Sequence, residues 1–190
     1  MKLFFGTNNP GKLRDIQDML GDRYQVLSFR DLAEPIEVEE TETTFEGNAA
    51  LKAKAFYAHT GIPCFADDSG LEVDALGGAP GVYSARYSGP KATDQSNNEK
   101  LIKALEGEKN RSARYRVVIA YYDGENMSFF EGKVEGSITE EPRGTGGFGY
   151  DPYFKPAGYD ITFAEMPAEE RHRISHRGKA IKAFVNVSFG

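Results

Sequence analysis

Short apolar runs alternate with polar, glycine-rich joints along this chain. Residues 2–6, Lys-Leu-Phe-Phe-Gly, read as an apolar strand, and residues 7–11 read as a loop. In residues 12–20 Leu13, Ile16 and Leu20 fall on one face of a helix. Residues 24–29 form a second predicted strand. Thr43-Thr44-Phe45-Glu46 has the Thr-x-x-Glu form of a capping box, which satisfies backbone N–H groups that a helix start leaves unbonded, and it predicts a helix running to about His59. Gly61-Ile62-Pro63 ends that helix and begins the apolar strand that leads to Asp67 and Asp68. Another helix is predicted from about Asp94 to Leu105. Residues 115–122 and 127–134 flank Asp123-Gly124, a strong hairpin signal. A glycine-rich loop at 144–149 and a final helix from about Arg177 complete the pattern. Strands and helices mixed in this order imply an α/β fold with a mixed sheet.

Composition narrows the class. With 190 residues the chain can bury one sizeable core, split at most into two lobes, so residues 1–190 are expected to form a single domain. No apolar run approaches the ~20 residues that span a bilayer. The N-terminal apolar run meets Gly6 and polar residues too soon for a signal peptide, so the expectation is a soluble cytoplasmic protein with no membrane partner. The single cysteine, Cys64, excludes an internal disulfide and reads as a buried apolar residue, and three histidines make a Cys/His zinc site implausible. A net charge of −6 and a pI near 5.2 argue against nucleic acid as a partner. Any anionic ligand must then meet a local basic cluster.

Five segments carry residues suited to chemistry. Ala66-Asp67-Asp68-Ser69-Gly70 sets two carboxylates where a strand is expected to end. Adjacent like charges call for a cation or a proton, yet the same string suits a solvated turn, because Asp and Ser bond their own backbone and Gly supplies positive φ. Thr7, Asn8, Asn9, Pro10, Gly11 and Lys12 form a strand-to-helix loop whose backbone N–H groups and helix dipole favour phosphate; the glycine spacing and Leu13 exclude a Walker A loop, and a plain tight turn is the other reading. Asn48, Lys52 and Phe56 recur at helical spacing, and Glu39, Glu40 and Glu42 precede that helix as a charged loop or as a partner of Asp68 around a cation. Phe148, Gly149, Tyr150 and Asp151 end a flexible glycine loop with two aromatics and a carboxylate, a set suited to stacking a planar base. Residues 171–177, with Arg171, His172, Arg173, His176 and Arg177, are the densest basic cluster; Arg173 stands where a zincin has Glu, so phosphate or base contact is favoured over zinc.

Taken together, the loop 7–12, the segment 44–49 with Lys52 and Ala53, residues 66–70, 76–89 and 144–154, and Ser175-His176-Arg177 resemble the inosine/xanthosine triphosphate pyrophosphatase family, in the family's order and from end to end of the chain. The resemblance implies an elongated mixed sheet with two α/β lobes around a substrate cleft, and a homodimer. It implies hydrolysis of deaminated purine triphosphates (ITP, dITP and XTP) to the monophosphate and pyrophosphate with Mg²⁺. Carried onto this chain, Asp68 is the proton acceptor and, with Glu40, a metal-linked acid. Ser69 lies beside the substrate, while Thr7 to Lys12 and Lys52 contact the triphosphate. Phe148 to Asp151, His176 and Arg177 recognise the base, and Arg171 contacts the nucleotide. Three positions depart from the usual pattern: Glu42 stands in place of Gly, Asp15 in place of Glu, and Arg171 in place of Lys.

In that scheme Asp68 orients or deprotonates a water that attacks the α-phosphorus, and Mg²⁺, Lys12 and Lys52 neutralise charge moving onto pyrophosphate. A base with oxygen at C6 suits hydrogen-bond donors that the amino group of adenine would oppose. Two rival readings stand beside it. One is a phosphatase using Asp67 or Asp68 as a nucleophile and releasing inorganic phosphate; the other is a nucleotide-binding regulator without turnover.

Overall fold

The computed structural model describes residues 1–8, 10–34 and 36–189, with the side chains of Pro10, Gly11, Lys12, Asp15, Met19, Ser188 and Phe189 outside the description. The order of elements is β1 (Lys2–Phe5), α1 (Pro10–Leu20), β2 (Gln25–Leu27), α2 (Phe45–Thr60), β3 (Cys64–Val73), α3 (Asp94–Ala104), β4 (Ser112–Tyr122), β5 (Met127–Ile138), β6 (Phe154–Pro156), α4 (Ala168–Ile174) and α5 (His176–Phe189). Short 3-10 turns lie at Phe29–Asp31, Asp74–Leu76 and Gly81–Arg86. The six strands form one sheet in the order β2-β1-β3-β4-β5-β6. β1 pairs in parallel with β2 (Leu3 opposite Val26) and with β3 (Phe4 opposite Cys64), whereas β6 pairs antiparallel with β5 (Ile138 opposite Phe154). The sheet is mixed and the class is α/β, as expected.

The differences from expectation are local and have physical causes. α1 begins at Pro10 rather than Lys12. Proline suits a first helical position, since its φ is preset and the N–H it lacks would be unbonded there anyway. β2 stops at Leu27 because Ser28 caps the turn that follows: its N–H donates to Asp31 Oδ2 at 2.8 Å and its Oγ accepts from Arg30 N–H at 3.3 Å. The helix cap of α2 is Thr44, not Thr43; Thr44 Oγ1 accepts from Gly47 N–H at 3.0 Å, so Glu46 is not part of a capping box.

The largest correction concerns residues 67–70, where the strand was expected to end. β3 runs on through Asp67, Asp68, Ser69 and Gly70 to Val73. Gly70 is not needed for a positive φ, as a turn would require. It is needed for close approach, because a Cβ there would lie 2.2 Å from Gly81 O and 2.5 Å from Ser84 Oγ. β6 and α4 were not foreseen. α4 nonetheless carries recognisable signals: Pro167 precedes it, Glu169 and Glu170 lie in its first turn, and Arg171, His172 and Arg173 in its last.

The chain divides into two compact units, Met1–Asp68 with Val118–Glu131 and Ala180–Gly190, and Ser69–Val117 with Gly132–Lys179. In the first, Phe4 and Phe56 are buried, and with Phe29 they make three edge-on ring contacts at 5.3 to 5.8 Å. Phe5 stacks on Phe65 at 4.5 Å, and Phe184 of α5 packs on Phe65 at 4.9 Å. In the second, Leu71, Leu101, Leu105, Ile138, Phe154 and Phe163 share one core with Tyr115, whose ring lies 4.6 Å from that of Phe154 and 5.8 Å from that of Phe163. Burying such side chains contributes roughly 1.5–3 kcal/mol each before chain entropy is counted. Among the described residues no helix is long and apolar enough to cross a membrane.

Candidate functional site

In the first unit the candidate site forms where one face of α2 meets β3. Asn48 is fully buried; its Oδ1 accepts from Glu42 N–H at 3.0 Å, which turns its Nδ2 toward Asp68 Oδ2 at 3.1 Å. The amide thus has a defined orientation, and it fixes the position of the Asp68 carboxyl group. One helical turn on, Lys52 Nζ donates to Asp67 O at 2.7 Å and pairs with the Glu40 carboxylate. Phe56, the third member of that face, belongs to the core instead, and a Cβ at Gly6 would lie 1.9 Å from its ring. Asp68 is itself buried, so its carboxyl group relies on polar partners rather than on bulk water.

Of the loop after β1, Thr7 is buried and Asn8 exposed. Asn9 and the side chains of Pro10, Gly11 and Lys12 lie outside the described residues. The backbone of residues 10–12 is the first turn of α1, so this segment presents a helix start and not an open loop. Among the described residues no group of three or more His, Cys, Asp or Glu side chains gathers to hold a metal.

In the second unit a cavity of about 250 Å³ is lined by Ser69, Phe148, Asp151, Arg171, His176 and Arg177, together with Gly149 and Tyr150. The structure therefore brings the glycine-loop and basic-cluster residues onto one cavity. Their roles within it differ from one another. Phe148 is 65% exposed, whereas Tyr150 is 4% exposed and donates its hydroxyl to Ser84 O at 2.7 Å. Tyr150 is thus a wall residue anchored in the core, and Phe148 is the aromatic of the loop that remains presented. Asp151 is buried; its Oδ1 accepts from Tyr115 OH at 3.0 Å and its Oδ2 from Phe148 N–H at 3.1 Å. Burial pushes its carboxyl above the ordinary range, while those two hydrogen bonds and the charges of Arg171 and Arg177 pull the other way.

Arg171, which lines the cavity, donates from Nη1 to Phe163 O at 3.1 Å. The His176 ring stacks on Tyr115 with centroids 5.1 Å apart and planes 10° from parallel. A cavity with one presented aromatic, a buried carboxylate and several cations can hold a flat heterocycle by stacking and by its polar edge. Sequence reasoning missed Tyr115, Asp94, Ser84 and Phe163, all of which line the same cavity. Tyr115 and Phe163 look like ordinary core positions in one dimension, and Asp94 carries a signal only as the first residue of α3.

Fold and cavity together define a mixed α/β protein whose second unit carries a cavity lined by an aromatic ring, a carboxylate and arginines. The chain belongs to the Ham1 family, whose model matches residues 3–187. It is 48% identical over 187 residues to the dITP/XTP pyrophosphatase of Flavobacterium johnsoniae, covering 98% of this chain and 97% of that one. It is 45% identical to the dITP/XTP pyrophosphatase of Aquifex aeolicus, covering 98% and 96%. Among solved structures, a HAM1 protein from Coxiella burnetii matches with a TM-score of 0.94 at 38% identity, covering 99% of this chain and 98% of that one. A dITP/XTP pyrophosphatase from Mycobacterium abscessus matches with a TM-score of 0.84 at 41% identity, covering 97% and 99%.

Proposed function

We propose that this chain hydrolyses deaminated purine nucleoside triphosphates (ITP, dITP and XTP) to the nucleoside monophosphate and pyrophosphate, as a single pyrophosphatase domain spanning residues 1–190. The observation that carries the reading is the cavity of the second unit, in which Phe148, Asp151, Arg171, His176 and Arg177 converge. A 6-oxopurine offers an N1–H donor beside an O6 acceptor, and a carboxylate with cationic donors complements that edge. Adenine offers the reverse, an acceptor at N1 and donors at C6, and is disfavoured. Full-length similarity to relatives named dITP/XTP pyrophosphatase supports the same conclusion and favours neither rival, phosphatase or regulator.

Asp68 is the proton acceptor. Its carboxylate orients and deprotonates the water that attacks the α-phosphorus; the bond from that phosphorus to the bridging oxygen breaks and pyrophosphate leaves. Asn48 holds the carboxylate in place through its 3.1 Å hydrogen bond. Lys52, Lys12 and the backbone of residues 7–12 take the triphosphate, and Ser69 lies beside the substrate. Phe148 to Asp151, Arg171, His176 and Arg177 take the base.

Glu40 and Asp68, two carboxylates of the first unit, are of the donor type that Mg²⁺ takes. That ion is bound by one or two carboxylates and completes its shell with water and substrate phosphate, so it needs no cage of three acidic side chains. Asp68 and Glu40 would hold it. When bound, it supplies positive charge to the phosphates. The family resemblance supports a homodimer working in the cytoplasm.

The test is product identity. Purified protein with Mg²⁺ is given ITP, dITP, XTP, GTP and ATP in turn, and the phosphorus products are assigned by ³¹P NMR. Pyrophosphate from ITP, with kcat/KM at least ~100-fold above that for ATP, is the expected result. Release of inorganic phosphate, or no turnover of any 6-oxopurine triphosphate, overturns the reading.

A further inference from the structure

The glycine loop of the cavity is fastened by α3. Gly149 N–H donates to Asp94 Oδ2 at 2.8 Å, and Gly149 C=O accepts from Asn98 Nδ2, also at 2.8 Å. Asp94 is the first residue of α3 and Asn98 stands one turn later, so a single helix face grips both polar groups of one residue. Asn98 Nδ2 also donates to Asp94 O at 2.9 Å, which ties the two gripping residues to each other. Asn98 is buried and Asp94 exposed.

This grip matters because of what lies next to it. The Phe148 ring is 65% exposed, so packing does not hold it and its direction follows from the backbone. Gly147 (φ +72°) and Gly149 (φ +60°) flank it, and glycine backbone loses more freedom on ordering than any other. Phe148 N–H is held on one side by Asp151 Oδ2 at 3.1 Å, and the following residue is held by α3.

We propose that Asp94 and Asn98 are positioning residues for base recognition: by fastening Gly149 they set where the Phe148 ring stands against the bound base. The proposal rests on the pyrophosphatase reading above. Without the grip the loop must be ordered at the moment of binding, so the loss falls on KM and spares kcat.

Asp94→Ala is the decisive variant, since Asp94 is exposed and its loss leaves no cavity in the core. KM for ITP is expected to rise about tenfold, the value of one charged hydrogen bond, with kcat within about threefold of wild type. Asp94→Asn keeps an acceptor oxygen and recovers most of the loss. In a Phe148→Ala background the ring is gone, and Asp94→Ala then changes KM by less than about twofold. Hydrogen exchange at the Gly149 amide, read without substrate, is faster in Asp94→Ala. Unchanged exchange and KM in Asp94→Ala overturn the proposal, as does an undiminished KM effect on top of Phe148→Ala, which would mark the grip as general stabilisation. Failure of the wild-type protein to release pyrophosphate from ITP defeats the pyrophosphatase reading instead, and the exchange experiment still judges the grip.

Discussion

Asp68→Asn separates chemistry from architecture at the candidate acid. The substitution keeps size and shape, and the new side chain can turn its oxygen toward Asn48 Nδ2, preserving the 3.1 Å contact. What changes in the fold is a hydrogen bond to a charged acceptor becoming one to a neutral acceptor, a loss of roughly 1 kcal/mol. For a chain of 190 residues that lowers Tm by only about 2–4 °C. Turnover loses more. Removing a positioned proton acceptor costs on the order of 10²-fold or more in kcat, equivalent to at least about 2.7 kcal/mol of barrier. The two effects therefore differ enough to be told apart in one preparation. Steady-state hydrolysis of ITP at saturating Mg²⁺ gives kcat, and a thermal melt of the same sample gives the fold. A folded variant with near-normal kcat refutes the assignment of Asp68; a variant that fails to fold refutes the structural premise that Asn48 tolerates a neutral partner.

Three further outcomes are expected. Gly70→Ala forces a Cβ to within 2.2 Å of a backbone carbonyl that cannot swing aside, so it destabilises by about 1–3 kcal/mol or more; a wild-type denaturation midpoint would show that β3 has room there. Burial pushes the Cys64 thiol up to about 11, leaving about one thiolate in a thousand at pH 8, so a thiol-specific chromogenic disulfide labels Cys64 only after denaturation; rapid labelling of the native protein contradicts this. The Asp151 carboxyl is raised by burial, so the native state binds its proton more tightly than the unfolded state does. That contribution to stability is fully present below the ordinary carboxylate range and is lost as pH rises through the raised value. The difference in unfolding free energy between wild type and Asp151→Asn should therefore shift against wild type as pH rises from acid toward neutral, and parallel urea curves across that range would count against it.

The elements most legible in the sequence were those bounded by start, stop or turn signals. α2, between its threonine cap and Gly61, α3, and the two strands around Asp123-Gly124 fall close to where those signals put them. Asp67-Asp68-Ser69-Gly70 misled because it has turn composition, and composition cannot show that Gly70 is small for the sake of the Gly81 carbonyl rather than for its φ. β6 is three residues long and is defined by its partner β5, so it has no period of its own to read. The candidate site divides along the same line. Asp68, Lys52 and the residues of the glycine loop and basic cluster stand out by chemical type. Asn48 was visible as one member of a helix face, but its hold on Asp68 depends on a tertiary contact. Tyr115 is apolar in pattern and reveals itself only when its hydroxyl is found on Asp151 and its ring on His176.

Lys52 gives the phosphate end of the proposed reaction an unusual character. Its ammonium already has two oxygen partners, the Glu40 carboxylate and the Asp67 carbonyl. On the proposed reading an arriving triphosphate would meet a cation that is already paired, and binding at this lysine would be an ion exchange in which one anion displaces another. Affinity then measures the difference between phosphate and Glu40 as partners, and it should depend on ionic strength less steeply than a count of nearby lysines implies. On that reading Glu40 would pass from the lysine to a metal ion at the same moment, so the anion and the cation that accompanies it would be admitted together.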